Sequence, residues 1–269
     1  MEKISIFVSM NDRYMDIFAF PLNLLLFLIW AGLVVSSWRR CRDSVIVRFM
    51  LKPAVSVWAI SLTLAASLII GITGYRSLVS TWAFAVLLLY FQTVLAFVVL
   101  RGWRVRDGKK LAFASIRWRF LFLHVGILTV VAASFWSAPD SYTLRTRAVK
   151  DIPVSEAYYP DGRAEWLQYQ IELKDFDVTY DAAGMPSDYS AAVIVKGEPV
   201  VLKVNHPYSV SVAETVYLTG YDEKEGSYCI LQIVHEPSRY VVLAGIVMML
   251  AGAFLLFING PRKRNVTQS

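Results

Sequence analysis

His124 is the only Asp, Glu, Lys, Arg or His in the long apolar segments of this chain, and it lies in Phe122-Leu123-His124-Val125-Gly126. An ionisable group inside a membrane span costs a few kcal/mol or more, so it is a candidate functional residue. Three interpretations are open. The imidazole forms a hydrogen bond with Gln92 or Thr93, relays a proton, or binds a metal or haem iron, which suits a neutral ring in an apolar pocket.

The other residues that could do chemistry do not form a site in the sequence. His206 and His235 are isolated, and single histidines of this kind are usually surface or hydrogen-bonded residues. The chain has no His/Cys/Asp cluster with zinc spacing, no glycine-rich phosphate loop, and no G-x-S-x-G or H-E-x-x-H motif. The sequence therefore predicts no self-contained active site.

Five apolar segments of the chain could form the membrane helices that surround His124. Each is long enough to cross a bilayer core of about 30 Å, which takes about 20 helical residues. The segments are 17–36, 54–72, 78–100, 120–136 and 240–258. We predict a transmembrane helix for each, with His124 near one end of the fourth. In the fifth, Gly245 and Gly252 form a face of small residues that packs either within the chain or against a partner subunit.

The charge of the chain differs sharply by region. Residues 137–239 carry 9 basic and 16 acidic side chains, whereas the rest carries 18 basic and 5 acidic ones. The basic residues concentrate in 38–53, 101–119 and the tail 259–269, which fall on one side of the membrane if there are five spans. The positive-inside rule makes that side the cytoplasm, so the N-terminus and residues 137–239 are predicted to lie outside. Basic charge that flanks apolar spans indicates contact with membrane lipid, and we expect no nucleic-acid binding.

Residues 137–239 predict a small all-β domain. Short runs rich in Val, Ile, Tyr and Thr are separated by turn residues. The predicted strands are Trp166–Glu172, Phe176–Tyr180, Ala191–Val195, Val200–Val204, Val212–Gly220 and Ser227–Val234. The predicted fold is therefore a five-helix α transmembrane bundle plus a small all-β extracytoplasmic domain, either a sandwich or an open barrel. Cys41 and Cys229 fall on opposite sides of the membrane and cannot pair within one chain.

Several short motifs follow one another in a recognisable order. The helical part holds Leu51-Lys52-Pro53, Ser80-Thr81-Trp82-Ala83-Phe84, Leu100-Arg101-Gly102-Trp103-Arg104 and Phe122-Leu123-His124-Val125-Gly126-Ile127-Leu128. The outer part holds Phe176-Asp177-Val178-Thr179-Tyr180, Gly184-Met185-Pro186-Ser187-Asp188-Tyr189-Ser190 and Val204-Asn205-His206-Pro207. In this order, over residues 50–258, the chain resembles the ResB (CcsB) family, the smaller partner in System II cytochrome c maturation.

The chain also departs from the family pattern. Residues 1–48 add an N-terminal span, and the outer domain is short for the family. His235 stands where an acidic or polar residue is more common before proline, so no family role is carried over to it. The tryptophan-rich haem-handling motif of the larger partner, CcsA (also called ResC), is absent, which implies that this partner is a separate chain.

The resemblance implies a function in which paired subunits move haem across the bacterial inner (cytoplasmic) membrane and support its thioether attachment to apocytochrome c. His124 would be an axial haem ligand, with Gln92 or Thr93 holding its second nitrogen. The haem would be b-type and transported rather than permanently held. Asn205, His206 and Pro207 would be motif residues of unknown role. The implied partners are a CcsA/ResC-like protein, apocytochrome c and a thioredoxin-like thiol reductant, so the chain would be at most one subunit of a cytochrome c haem lyase.

Two other functions compete with this one. The first is a non-enzymatic, membrane-anchored scaffold that presents its β domain to an envelope complex. The second is a small-solute or ion transporter, which one intramembrane ionisable residue and the lack of a broken-helix pair support poorly.

Overall fold

The computed structural model describes residues 17–73, 82–102, 116–180, 186–222 and 227–259. Residues 1–16, most of the basic 101–119 loop, the tail from residue 260 and part of the Gly184–Ser190 motif lie outside these ranges. The chain divides into two compact units. One comprises residues 1–139 with 238–269, and the other comprises Asp140–Pro237.

The first unit is built of helices. Within the described residues, five helices are long and apolar enough to cross a membrane. The α-helices of the described residues are α1 Leu22–Arg40, α2 Val45–Met50, α3 Pro53–Thr73, α4 Trp82–Gly102, α5 Trp118–Ser137 and α6 Arg239–Asn259. Helix α2 has only six residues and is too short to cross a membrane. The Ser44 hydroxyl caps its N-terminus by accepting a hydrogen bond from the Val47 amide at 3.3 Å. Pro53 starts α3, where its missing N–H is not needed.

Helices α5 and α6 pack with their backbones in direct contact. A Cβ added to Gly126 would lie 2.8 Å from the Gly245 carbonyl oxygen, and one added to Gly252 would lie 2.7 Å from the Leu123 amide nitrogen. Contacts this short leave no room for a side chain. The small-residue face of the last helix therefore packs within the chain.

The second unit is a single antiparallel sheet of eight strands in the order β5-β4-β3-β2-β1-β8-β7-β6. The edge strand β5 returns beside β7, so the sheet curls around one core. This is the open-barrel form of the two that the sequence predicted, and it confirms the all-β domain. The strands are β1 Tyr142–Val149, β2 Val154–Tyr158, β3 Ala164–Tyr180, β4 Pro186–Val195, β5 Glu198–Lys203, β6 Tyr208–Ser209, β7 Glu214–Tyr221 and β8 Tyr228–His235.

Alternating burial forms the core of this unit. In β8, Cys229, Leu231 and Ile233 are fully buried, because every second side chain of a strand faces the same side. Each buried Leu or Ile stabilises the unit by about 1.5–3 kcal/mol relative to an exposed one. Burial also raises the pKa of the Cys229 thiol to about 12. Cys229 is therefore a small core hydrophobe rather than a reactive thiol.

Two details of the strand prediction were wrong. The predicted strands Trp166–Glu172 and Phe176–Tyr180 are one continuous strand, β3, which pairs with β2 in its first part and with β4 in its second. The two-residue strand β6 was not predicted, and neither were strands β1 and β2. The latter two are central to the sheet, since β1 joins β2 to β8.

Candidate functional site

His124 lies in α5, six residues after the first residue of the helix, or about 9 Å along its axis. Its Nδ1 is 2.9 Å from the Phe120 carbonyl oxygen, one turn earlier. A carbonyl oxygen can only accept, so Nδ1 carries the hydrogen and donates it. Nε2 then keeps its lone pair, which is the form of a neutral imidazole that can bind a metal.

An aromatic and cationic column runs along the same face of α5. The Phe120 ring stacks on His124 with centroids 3.9 Å apart and an interplanar angle of 23°. The Arg117 guanidinium carbon lies 5.0 Å from the centroid of the Phe120 ring. Residues three and four positions apart share a helix face, which explains the order Arg117, Phe120, His124. The His124 imidazole is therefore held by its hydrogen bond to the Phe120 carbonyl and by stacking on the Phe120 ring, which in turn contacts Arg117.

The end of α4 holds this column from the side. A Cβ on Gly102 would overlap the Phe120 ring, so the glycine lets the two helices meet there. Arg117 Nη1 also donates to the Gly102 carbonyl oxygen at 3.4 Å. The first turn of α5 is thus positioned by the last turn of α4.

His124 lines a cleft of 930 Å³ between the start of α5 and the second half of α6. This volume is within the range of about 300–1,000 Å³ that small-molecule and cofactor sites occupy. Leucine and aromatic side chains form its apolar wall, Gly252 brings the backbone of α6 against it, and two arginines line it near the start of α5. The lining includes Arg117, Trp118, Arg119, Phe120, Leu255 and Leu256.

The two predicted supporting residues do not reach His124. The Thr93 hydroxyl donates to the Leu89 carbonyl oxygen at 2.6 Å and accepts from Trp30 Nε1 at 2.9 Å, so it faces α1. Gln92 is fully buried, and neither polar atom of its amide has a hydrogen-bond partner among the described residues. The expected bond from His124 to either residue is therefore not formed, because the Phe120 carbonyl on the same helix takes its place.

Asn205, His206 and Pro207 form an exposed turn between β5 and β6. Asn205 has a left-handed backbone with φ of 60°, which asparagine tolerates better than most residues. The His206 amide closes the turn by donating to the Lys203 carbonyl oxygen at 3.0 Å. The geometry gives this motif a turn-forming role in the second unit.

A partly buried polar network in the second unit was not predicted from the sequence. The Glu214 carboxylate accepts a short hydrogen bond from the Tyr169 hydroxyl and lies 3.6 Å from His235 Nδ1. The Tyr142 ring stacks on His235 at a centroid distance of 4.7 Å. Burial, and then the negative charge of Glu214, raise the pKa of Tyr142 to about 12. The strand register aligns Tyr142 of β1, His235 of β8 and Glu214 of β7. This alignment could not be predicted from the sequence because β1 itself was not predicted.

Within the described residues, no group of three or more His, Cys, Asp and Glu side chains could hold a metal ion. His124 and its cleft are thus the best candidate site. They define a class of protein: a polytopic membrane protein with a histidine-bearing cleft between its helices and an antiparallel β domain.

The comparison with protein families narrows this class. The sequence profile of the ResB-like family matches residues 92–230, which is more than half of the chain. The chain belongs to the ResB-like family. The matched region contains His124 and most of the β domain.

The fold is also similar to that of a solved structure titled "Cytochrome c Heme Lyase CcmF", with a TM-score of 0.42 and 14% sequence identity. The match covers 90% of this chain and 46% of the other, so the chain spans less than half the length of that protein. The search of curated proteins gave no significant match.

Proposed function

We propose that this protein is a subunit of a System II cytochrome c maturation complex, in which His124 binds haem iron during transfer across the membrane. The observation that carries the proposal is the geometry of His124: its Nδ1 is bound to the Phe120 carbonyl, and its Nε2 is left for a ligand beside a 930 Å³ cleft. Neutral imidazole is a common axial ligand of haem iron. Membership of the ResB-like family supports a role in cytochrome c maturation.

The residues of the cleft fit a haem. A porphyrin has a broad apolar ring, which suits the leucine and aromatic wall, and a carboxylate edge, which suits Arg117 and Arg119. A cleft that is open at the protein surface also suits a group that is transported rather than permanently held. A histidine of a CcsA/ResC-type partner would be the second protein ligand of the iron.

The orientation is part of the proposal. The basic 38–53 and 101–119 loops are placed in the cytoplasm of a bacterium and the β domain outside its inner membrane. His124 then lies close to the inner surface, where haem made in the cytoplasm would arrive. The β domain would dock apocytochrome c or a thioredoxin-like thiol reductant.

This chain would supply only part of the chemistry. Thioether bonds form when cysteine thiolates of the cytochrome add across the haem vinyl groups, so the nucleophiles belong to another protein. Within this chain Cys229 is buried with a raised pKa and is unsuited to that step. The contribution of this chain would be to bind haem and to hold it in one orientation.

Haem content after purification with the partner tests the proposal. The complex is expected to show a Soret band that His124→Ala weakens strongly and that added imidazole restores, because the small ligand enters the space left by the ring. His206→Ala serves as the matched control, since that histidine lies in an exposed turn, and it is expected to leave the band intact. An unchanged Soret band in the His124 variant contradicts haem ligation.

The scaffold function is the alternative, and the compact β domain with its own core favours it. A complex that assembles with its partner but contains no haem in any preparation would support the scaffold.

A further inference from the structure

We propose that Arg117 and Arg119 bind the carboxylate edge of the haem, so that its propionates lie at the α5 N-terminal end of the cleft and its vinyl edge points along α5, away from that end. The inference rests on the proposed function and adds an orientation to it. It assigns a binding role to two residues that lie outside the predicted 120–136 span.

The first support is the position of the two charges. Arg117 precedes His124 by seven residues, which places it on the same helix face about 10 Å along the axis. Both arginines line the same cleft as His124, and the remainder of the lining is mostly apolar. The cleft therefore offers an iron ligand at one level and cationic groups at another, as a porphyrin with two acidic arms requires.

The second support is the way in which Arg117 is held. Its guanidinium stacks on Phe120 and donates one hydrogen bond to the Gly102 carbonyl oxygen, which leaves further N–H donors of the same group. Arginine presents these donors in a planar fork that matches a carboxylate. Because Arg117 stacks on the ring that also stacks on His124, the iron ligand and the carboxylate site are fixed relative to each other.

The orientation has a consequence for the chemistry that follows. The vinyl groups are the atoms to which the cytochrome thiols must be joined, and they lie on the edge opposite the propionates. A haem held by its propionates at one end of α5 presents its reactive edge toward the other end. The direction of transfer would thus be set when the haem first binds.

Two porphyrins that differ only in their acidic arms test the inference. The full chain in complex with its CcsA/ResC-type partner, in lipid nanodiscs, is titrated with haem and with haem dimethyl ester, and the ratio of the two dissociation constants is measured from the Soret band. The ratio is compared between the unsubstituted chain, the double variant Arg117→Gln with Arg119→Gln, and the control Arg101→Gln. Arg101 bonds the Leu51 carbonyl oxygen and does not line the cleft.

The double variant is expected to lose haem affinity by about tenfold or more while its affinity for the ester is unchanged, because each charged hydrogen bond contributes to binding of the free acid alone. A merely structural role for the arginines would weaken both porphyrins equally. Partition of each porphyrin into the nanodisc is the same for every variant and cancels in the comparison.

The possible failures are distinct. If the double variant and the Arg101 control keep the same ratio as the unsubstituted chain, the arginines do not bind the propionates. The same conclusion follows if the double variant loses affinity for both porphyrins equally. In either case the proposal that His124 binds the iron still stands. If the complex that contains the unsubstituted chain binds neither porphyrin, the proposed function and this inference both fall.

Discussion

Gly252→Ala is expected to destabilise the helical unit, although alanine is the better helix former. The added Cβ would lie 2.7 Å from the Leu123 amide nitrogen, 3.1 Å from its Cα and 3.2 Å from its Cβ. Two of these are backbone atoms, so no side chain can rotate away and α6 must move from α5. Overpacking of this kind costs about 1–3 kcal/mol, which exceeds the gain of up to about 1 kcal/mol from replacing a helical glycine by alanine.

The matched control is Gly32→Ala in α1, because a Cβ there would meet nothing within 4 Å. Reversible unfolding in mixed micelles, with tryptophan fluorescence as the signal, measures the free energy of unfolding of both variants. We expect a net loss for Gly252→Ala and no loss, or a small gain, for Gly32→Ala. Because Leu123 is adjacent to His124, Gly252→Ala should also weaken the proposed haem binding. Equal stability of the two variants would refute the close packing of α5 on α6.

Three further predictions concern groups outside the spanning helices. Cys41 is exposed and Cys229 is buried with a pKa of about 12, so a maleimide at neutral pH should modify Cys41 and spare Cys229 until the protein is unfolded. Mass spectrometry of the labelled peptides measures the two rates. Labelling of both cysteines at similar rates would contradict the buried position of Cys229. With a membrane-impermeant reagent on sealed cells, Cys41 is expected to react only after permeabilisation, which tests the orientation. The pKa of the Tyr142 hydroxyl is raised to about 12 in the folded protein, from its usual value of 10.0. As the pH rises, the unfolded state therefore loses the Tyr142 proton before the folded state does. The β domain should thus lose stability between about pH 10 and about pH 12. Denaturation of the full chain as a function of pH should show a shallower alkaline loss for Tyr142→Phe than for the unsubstituted chain, and identical profiles would remove Tyr142 as the cause.

Hydropathy was enough to locate the spanning helices and His124, since lipid demands a long apolar run and penalises every charge within it. The column on α5 was not visible in the same way. Arg117 and Trp118 are polar or amphipathic residues at the helix start, and a hydropathy window ends before them. Phe120 and Gly102 show their role only when the two helices are packed together.

The partners of buried polar groups were the least predictable feature. Gln92 and Thr93 were matched to His124 because they lie in the same half of the membrane, yet a backbone carbonyl one turn away satisfies the imidazole. Strand β1 was missed because it follows α5 almost directly and because Arg145 and Arg147 interrupt the apolar runs by which the other strands were predicted. Their alternation with buried residues is itself the pattern of a strand with one exposed face. Its register then determined the Tyr142–His235–Glu214 network, which no local pattern could reveal.

The order of elements along the chain explains how the cleft can form from helices that are distant in sequence. Strands β1 and β8 begin and end the β domain, and they pair with Tyr142 opposite His235, so the chain leaves the domain beside the point where it entered. The flanking helix ends meet in the helical unit, where the hydroxyls of Ser137 and Ser238 are 2.5 Å apart. From there the contacts of Gly245 and Gly252 hold α6 against α5 as far as Leu123. The residues that orient His124 belong to α5 and α4, whereas Gly252, Leu255 and Leu256 of α6 form the opposite wall of its cleft. The glycine packing of α6 on α5 therefore determines the space available to a ligand.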